Sequence, residues 1–84
     1  MVHYLITCRS LTYAQKAARA LERTGITASI IRAPKGISRE GCAYCVKVSE
    51  RRGREALAIL RQTETRYNRV FLQQANGETR EVAI

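Results

Sequence analysis

Cys42 is the residue of this chain best placed to do chemistry. It lies in Gly41-Cys42-Ala43-Tyr44-Cys45, behind the basic stretch Arg32-Ala33-Pro34-Lys35-Gly36-Ile37-Ser38-Arg39-Glu40 and ahead of a β-like run over residues 43–48. A thiol between a glycine turn and a strand end is open to solvent, and positive neighbours favour its thiolate, the reactive form. Any reaction of this chain is therefore expected to use Cys42 as donor or acceptor atom. The spacing to Cys45 looks like a redox pair, but residues three apart on a strand point to opposite faces and sit roughly 10 Å apart. Cys45 is expected instead as a small core or open-face residue. Cys8 reads as a buried strand-end cysteine, and Cys8–Cys42 across neighbouring strands is the better disulfide candidate.

Other chemistries have less to work with. A closed structural zinc site takes four ligands, and Cys8, Cys42, Cys45 and His3 are the only Cys and His present. His3 and Cys8 have opposite strand parity, as do Cys42 and Cys45, so one centre does not easily collect all four and no metal or cofactor is expected. His3 is expected as a partly exposed edge residue. No Ser/His/Asp set, paired carboxylates or phosphate-cradling glycine loop occurs, and one histidine with seven acidic residues leaves little for a hydrolase.

The elements that must position Cys42 are short and regular. Residues 3–8 form a strand rich in branched and aromatic side chains. Ser10 is an N-cap for a helix whose apolar stripe is Leu11, Ala14, Ala17, Ala18 and Leu21. Gly25 ends that helix as its C′ residue, with Ile26 as the hydrophobic contact behind it. Residues 27–32 give a second strand and residues 43–48 a third. Ser49 caps a second helix with Gly53, Ala56, Leu57 and Leu60 on its buried side, Gly53 weakening it slightly. Residues 66–72 form a fourth strand, and Asn76-Gly77 signals a type I′ hairpin that returns residues 79–84 as a fifth.

That order is βαββαβ with an optional trailing strand. The expected fold is α+β and ferredoxin-like: an antiparallel sheet with two helices on one face, in a single domain over residues 1–84, of which 72–84 are a hairpin extension or tail. Right-handed crossovers place the third strand between the first and second, antiparallel to both. Cys8, Arg9, Ser10 and Cys42 then meet at one end of the sheet. The helix N-terminus at Ser10 supplies unpaired N–H groups and a partial positive charge, and Arg9 and Arg39, with Lys35 near, supply full ones. The arrangement suits a thiolate, persulfide or selenide, and equally a phosphate or carboxylate.

The formal net charge of +8, from 15 Lys and Arg against 7 Asp and Glu, attracts nucleic acid, anionic lipid or an acidic protein. Arg51, Arg52 and Arg54 form one group and Arg66 and Arg69 another, both read as solvated surface. Arg9, Arg32, Lys35 and Arg39 converge on the cysteine loop. No apolar run reaches bilayer length, no signal peptide is evident, and three cysteines make no disulfide framework; the expectation is a cytoplasmic protein. RNA-recognition strands share the fold pattern and match Gly41, Ala43 and Tyr44. Cys42 and Lys47, however, stand where base-stacking aromatics are needed, and parity turns Tyr44 toward the helices.

Tyr4-Leu5-Ile6-Thr7 followed by Arg9-Ser10, then Thr24-Gly25-Ile26, then Ala33-Pro34-Lys35-Gly36-Ile37-Ser38 and Gly41-Cys42, resemble the selenium/sulfur carrier protein-like family of small bacterial proteins. The resemblance covers residues 2–67. It implies a compact α+β domain that carries sulfur or selenium on a cysteine, with Cys42 on the family's glycine-cysteine motif and Arg9 and Ser10 on its strand-end motif. Two features depart from the family pattern: Cys8 stands where phenylalanine is usual, and Cys45 adds a third thiol.

The expected function is thus a carrier or accessory protein, not a self-sufficient enzyme. Cys42 would hold a persulfide or selenide, Arg9, Ser10 and Arg39 would stabilise its anion, and Cys8 would resolve it. The implied partners are a sulfur or selenium donor, such as a cysteine desulfurase, and an acceptor enzyme. The alternative is a basic RNA- or protein-binding module with structural cysteines. A homo-oligomer through the open sheet face is a third expectation.

Overall fold

The computed structural model describes residues 2–34, 37 and 44–82. Along the chain run β1 (His3–Cys8), α1 (Leu11–Glu22), β2 (Ser29–Arg32), β3 (Tyr44–Ser49), a 3-10 turn (Glu50–Arg52), α2 (Gly53–Gln62), β4 (Val70–Gln73) and β5 (Thr79–Glu81). The five strands make one antiparallel sheet in the order β2-β3-β1-β4-β5. β3 lies between β1 and β2, antiparallel to both, as the crossover argument requires.

Strand parity divides the apolar residues into two cores. Ile6 and Cys8 of β1, Val46 and Val48 of β3 and Val70 of β4 face both helices, meeting Ala14, Ala17 and Leu21 of α1 and Ala56, Leu57 and Leu60 of α2. On the other face Leu5, Cys45 and Phe71 form a smaller cluster closed by Ile37, with Ile31 and Ala33 packed against it. Tyr44 is half-buried against the helix-side core, as its parity predicts.

The end of α1 follows its sequence signals. Gly25 adopts φ +84°, its N–H donates to the Glu22 carbonyl, and the Ile26 N–H donates to the Leu21 carbonyl at 3.1 Å. This is a Schellman pair, with buried Ile26 as its apolar contact. The end of α2 has the same bonds, from Thr65 N–H to Leu60 and from Glu64 N–H to Arg61. Here Glu64 occupies the left-handed position, at φ 54°, where glycine is usual.

Several expectations are corrected. Ser49 ends β3, and its side chain makes no capping hydrogen bond; the 3-10 turn intervenes before α2. His3 is on β1, flanked by β3 and β4, and so is not on an edge strand. β4 starts at Val70 instead of Arg66, because the Thr7 carbonyl takes the Asn68 N–H while the Arg69 N–H turns to Thr7 Oγ1, which breaks the regular ladder. The hairpin at Asn76-Gly77 forms, but not as type I′, which needs positive φ at both central residues. Gly77 alone has it (φ +91°). The Gly77 N–H donates to Gln74 O and the Gln74 N–H to Glu78 O, which is a three-residue loop with a glycine bulge.

Gly53 is likewise not a flaw in a helix interior. It opens α2, and the Tyr4 ring rests where its Cβ would be. Gly53→Ala should therefore lower stability by ~1–3 kcal/mol through overpacking. Urea unfolding measures this, and pairing the change with Tyr4→Leu should recover part of the loss.

Candidate functional site

The end of β1 and the start of α1 are built by four consecutive residues. Thr7 and Cys8 are fully buried, Arg9 is exposed and Ser10 is half-buried. Ser10 is extended (φ −150°, ψ 169°); its Oγ accepts from Tyr13 N–H at 3.4 Å, and its carbonyl accepts from Ala14 N–H at 3.0 Å. No acidic residue occupies the first turn of α1, so the positive end of the helix dipole adds to the Arg9 charge without an internal counter-charge.

Thr7 fixes what stands opposite. Its Oγ1 accepts from Arg69 N–H at 2.8 Å and donates to Arg69 O at 3.2 Å. Its backbone N–H donates to Arg69 O, and its carbonyl accepts from Asn68 N–H, both at 2.8 Å. Residues 66–68 are thereby held beside Arg9, and Arg9, Tyr13, Arg66, Tyr67 and Asn68 together line a cavity of about 250 Å³. Among the described residues the ion pairs are Arg52–Glu55 at 2.8 Å and Arg69–Glu81 at 3.0 Å, and neither engages Arg9 or Arg66.

Of the site residues expected from sequence, Cys8, Arg9 and Ser10 lie in succession from the end of β1 to the N-cap of α1. The N-terminal residue of β3 joins them there, with Tyr44 paired to Cys8 on one side and Arg32 on the other. Cys42, Arg39 and Lys35 lie outside the described residues. The Cys8 Sγ is buried on the helix side, 3.7 Å from the Ile6 carbonyl, to which it donates. Cys45 is buried in the cluster on the other face, so those two sulfurs are separated by the sheet. Tyr13, Arg66 and Tyr67 were not expected at the site. The available signal was the lack of alternating apolar residues over Arg66-Tyr67-Asn68-Arg69, which argues against a strand there.

A second polar surface lies on the sheet face away from the helices, where His3, Ser29, Lys47 and Ser49 line an open depression with Arg51 and Arg52. The His3 imidazole is held below its ordinary value of 6.5 by desolvation, then by the Lys47 ammonium and the N-terminal charge.

A small α+β domain with a cationic cavity at the junction of its first strand and helix is the class that the fold and site define. The family described as Putative Se/S carrier protein-like matches residues 3–72, and the chain belongs to it. The match ends within β4, so β5 lies beyond it. No curated protein and no solved structure matches the chain. No helix among the described residues is long and apolar enough to cross a membrane.

Two outcomes follow from this geometry. Thr7→Val keeps the shape but strands the Arg69 N–H, and should cost ~1–3 kcal/mol; hydrogen exchange should show the Asn68 and Arg69 amides opening before those of β3. For His3, the unfolded chain binds the proton more readily. Stability should therefore be full above pH 6.5 and decline as pH falls through the lowered value. The His3 ring resonances should titrate below 6.5 and move upward in Lys47→Gln.

Proposed function

We propose that this protein carries sulfur or selenium on Cys42 as a persulfide or selenide anion, and passes it between a donor protein and an acceptor protein. The observation that carries the reading is the family match over residues 3–72, which includes Cys42. The described structure supports it from one side. Two peptide units separate Cys42 from Tyr44, a reach of about 7 Å at full extension, and Tyr44 pairs with Cys8, the residue before Arg9. The frame is a ferredoxin-like split βαβ with an added edge strand, which brings the first strand end, the helix start and the chain entering β3 to one end.

In the loading step the Cys42 thiolate attacks the outer sulfur of a persulfide on the donor, for example a cysteine desulfurase. The donor's S–S bond breaks, its own sulfur leaves as a thiolate, and the new S–S bond holds the sulfane sulfur on Cys42. Arg9, Arg39 and the α1 N-terminus at Ser10 stabilise the anionic terminal sulfur, which is weakly basic and favoured by nearby positive charge. Delivery to an acceptor reverses the step, or the Cys8 thiolate attacks the Cys42 sulfur, breaks its bond to the outer atom, closes a Cys8–Cys42 disulfide and releases that atom as sulfide or selenide. The protein acts in the cytoplasm as an accessory to both partners and needs no cofactor of its own.

The test is loading by a persulfide donor, read as the mass of one added sulfur atom. Wild-type protein should load, Cys42→Ser should not, and Cys45→Ser should load as the wild type does. Loading that survives Cys42→Ser would remove the assignment. Iodoacetamide should alkylate Cys42 with an apparent pKa below the free-thiol value of about 8.5, and Arg9→Ala should move that pKa upward.

A further inference from the structure

We infer that the channel between α1 and the segment joining α2 to β4 binds single-stranded nucleic acid, a function separate from chemistry at Cys42. Three cavities adjoin along this channel. The first, of about 250 Å³, shares Tyr13 and Arg66 with the second, of about 440 Å³. The second shares Lys16, Thr63 and Thr65 with the third, of about 460 Å³. One wall is a stripe of α1: Tyr13, Lys16, Ala20 and Arg23 recur at three- and four-residue spacing, beside the buried Ala14, Ala17 and Leu21. The other wall is Thr63, Thr65 and Arg66, set in place by the Glu64 turn and by the bonds of Thr7 to Asn68 and Arg69.

The charge along this channel is predominantly positive. Arg9, Lys16, Arg19, Arg23 and Arg66 are all exposed and line it, while Glu64 is the one carboxylate among the lining residues. Neither ion pair among the described residues involves any of these five cations. Arg52 and Arg69, elsewhere on the surface, each have an acidic partner, while Lys47, Arg51 and Arg54 also join neither ion pair. The stripe from Tyr13 to Arg23 spans about 15 Å of helix, so the cations form a track and not a point.

Two details select nucleic acid over an acidic protein segment. Four of the five cations are arginines, whose planar forks match phosphate and also stack on bases. Two half-buried tyrosines, Tyr13 and Tyr67, lie in the first cavity between Arg9 and Arg66, and the Lys16 Nζ stands 5.9 Å from the Tyr13 ring centroid. Rings among cations are what unstacked bases use, and a carboxylate-rich peptide has no need of them. A duplex hides its base faces, so a single strand is the occupant that uses both rings and charges.

The experiment is fluorescence anisotropy of a labelled oligouridylate with the full chain, across salt concentration and with polyglutamate as competitor. With five phosphate contacts the logarithm of affinity should fall with the logarithm of salt at a slope of about −3.5. A variant carrying Lys16→Gln, Arg19→Gln and Arg23→Gln should reduce that slope by about 2; all three side chains are exposed, and circular dichroism verifies the fold. Tyr67→Leu should weaken binding at least about fivefold with the slope unchanged. A control with Arg51→Gln, Arg52→Gln and Arg54→Gln should change the slope by less than half as much. An unchanged slope in the α1 variant, or an equal loss in the control, overturns the proposal in favour of diffuse charge. Competition by polyglutamate at the same charge concentration overturns it in favour of an acidic protein partner.

Discussion

The hydroxyl of Thr7 is the contact on which the candidate site depends. It is buried in a central strand, where an unpaired polar atom costs ~1–3 kcal/mol. Its Oγ1 bonds the N–H and carbonyl of a residue sixty-two positions later in the chain. The same residue's backbone also bonds Arg69 and Asn68. These bonds do what a regular ladder would do for β4, but they leave Arg66 and Tyr67 free of strand parity. That freedom lets both side chains line the cavity at the start of α1. An apolar residue at position 7 would keep the backbone bonds but leave the Arg69 N–H unpaired and the segment less firmly held.

A second constraint is that β1 serves two faces at once. Ile6 and Cys8 belong to the core beneath the helices, while Leu5 and Thr7 are equally buried on the opposite side. Sheets with helices on one side commonly leave the other face wet. Here Ile37 and Ala33 cover its centre, over Leu5, Cys45 and Phe71. The place where an RNA-recognition sheet exposes its stacking rings is thus filled by aliphatic packing. Around it lie His3, Ser29, Lys47 and Ser49, with Ile31 beside them.

Much of this architecture was legible because its signals are local and physically strong. Ser10 and Gly25-Ile26 bracket α1 through a cap and a Schellman pair, each made within a few residues. The parity of Tyr44 and Cys45 sends one toward the helices and the other away, which separates Cys45 from Cys8. The misreadings share a cause as well. Glu64 carries out a glycine's task, so no stop residue marked the end of α2 or set apart the segment after it. Gly53 looked like a weak helix residue because its partner, Tyr4, lies 49 positions away in sequence. Residues 66–69 read as strand because the bonds that hold Asn68 and Arg69, and so place Arg66 and Tyr67, come from Thr7, at the other end of the chain. Long-range polar contacts leave no periodic trace, and here they are what build the site.

The distribution of charge bears on both proposed ligands, a cysteine-bound anion and a strand of phosphates. A net charge of +8 spread evenly would attract anions without placing them. Instead, acidic residues neutralise Arg52 and Arg69 locally, and Glu22 lies outside the lining of the channel beside α1. Arg9, Lys16, Arg19 and Arg23, which neither ion pair engages, follow one another along α1, whose dipole contributes only at its first turn. A single anion such as a persulfide would draw on that first turn and the exposed Arg9, so few charge contacts that salt weakens them only gradually. A strand of phosphates would draw on the exposed cations farther along, whose contribution comes through counterion release and falls steeply with salt. Arg9 is common to both. Ionic strength therefore separates the two uses physically, even though they share a residue.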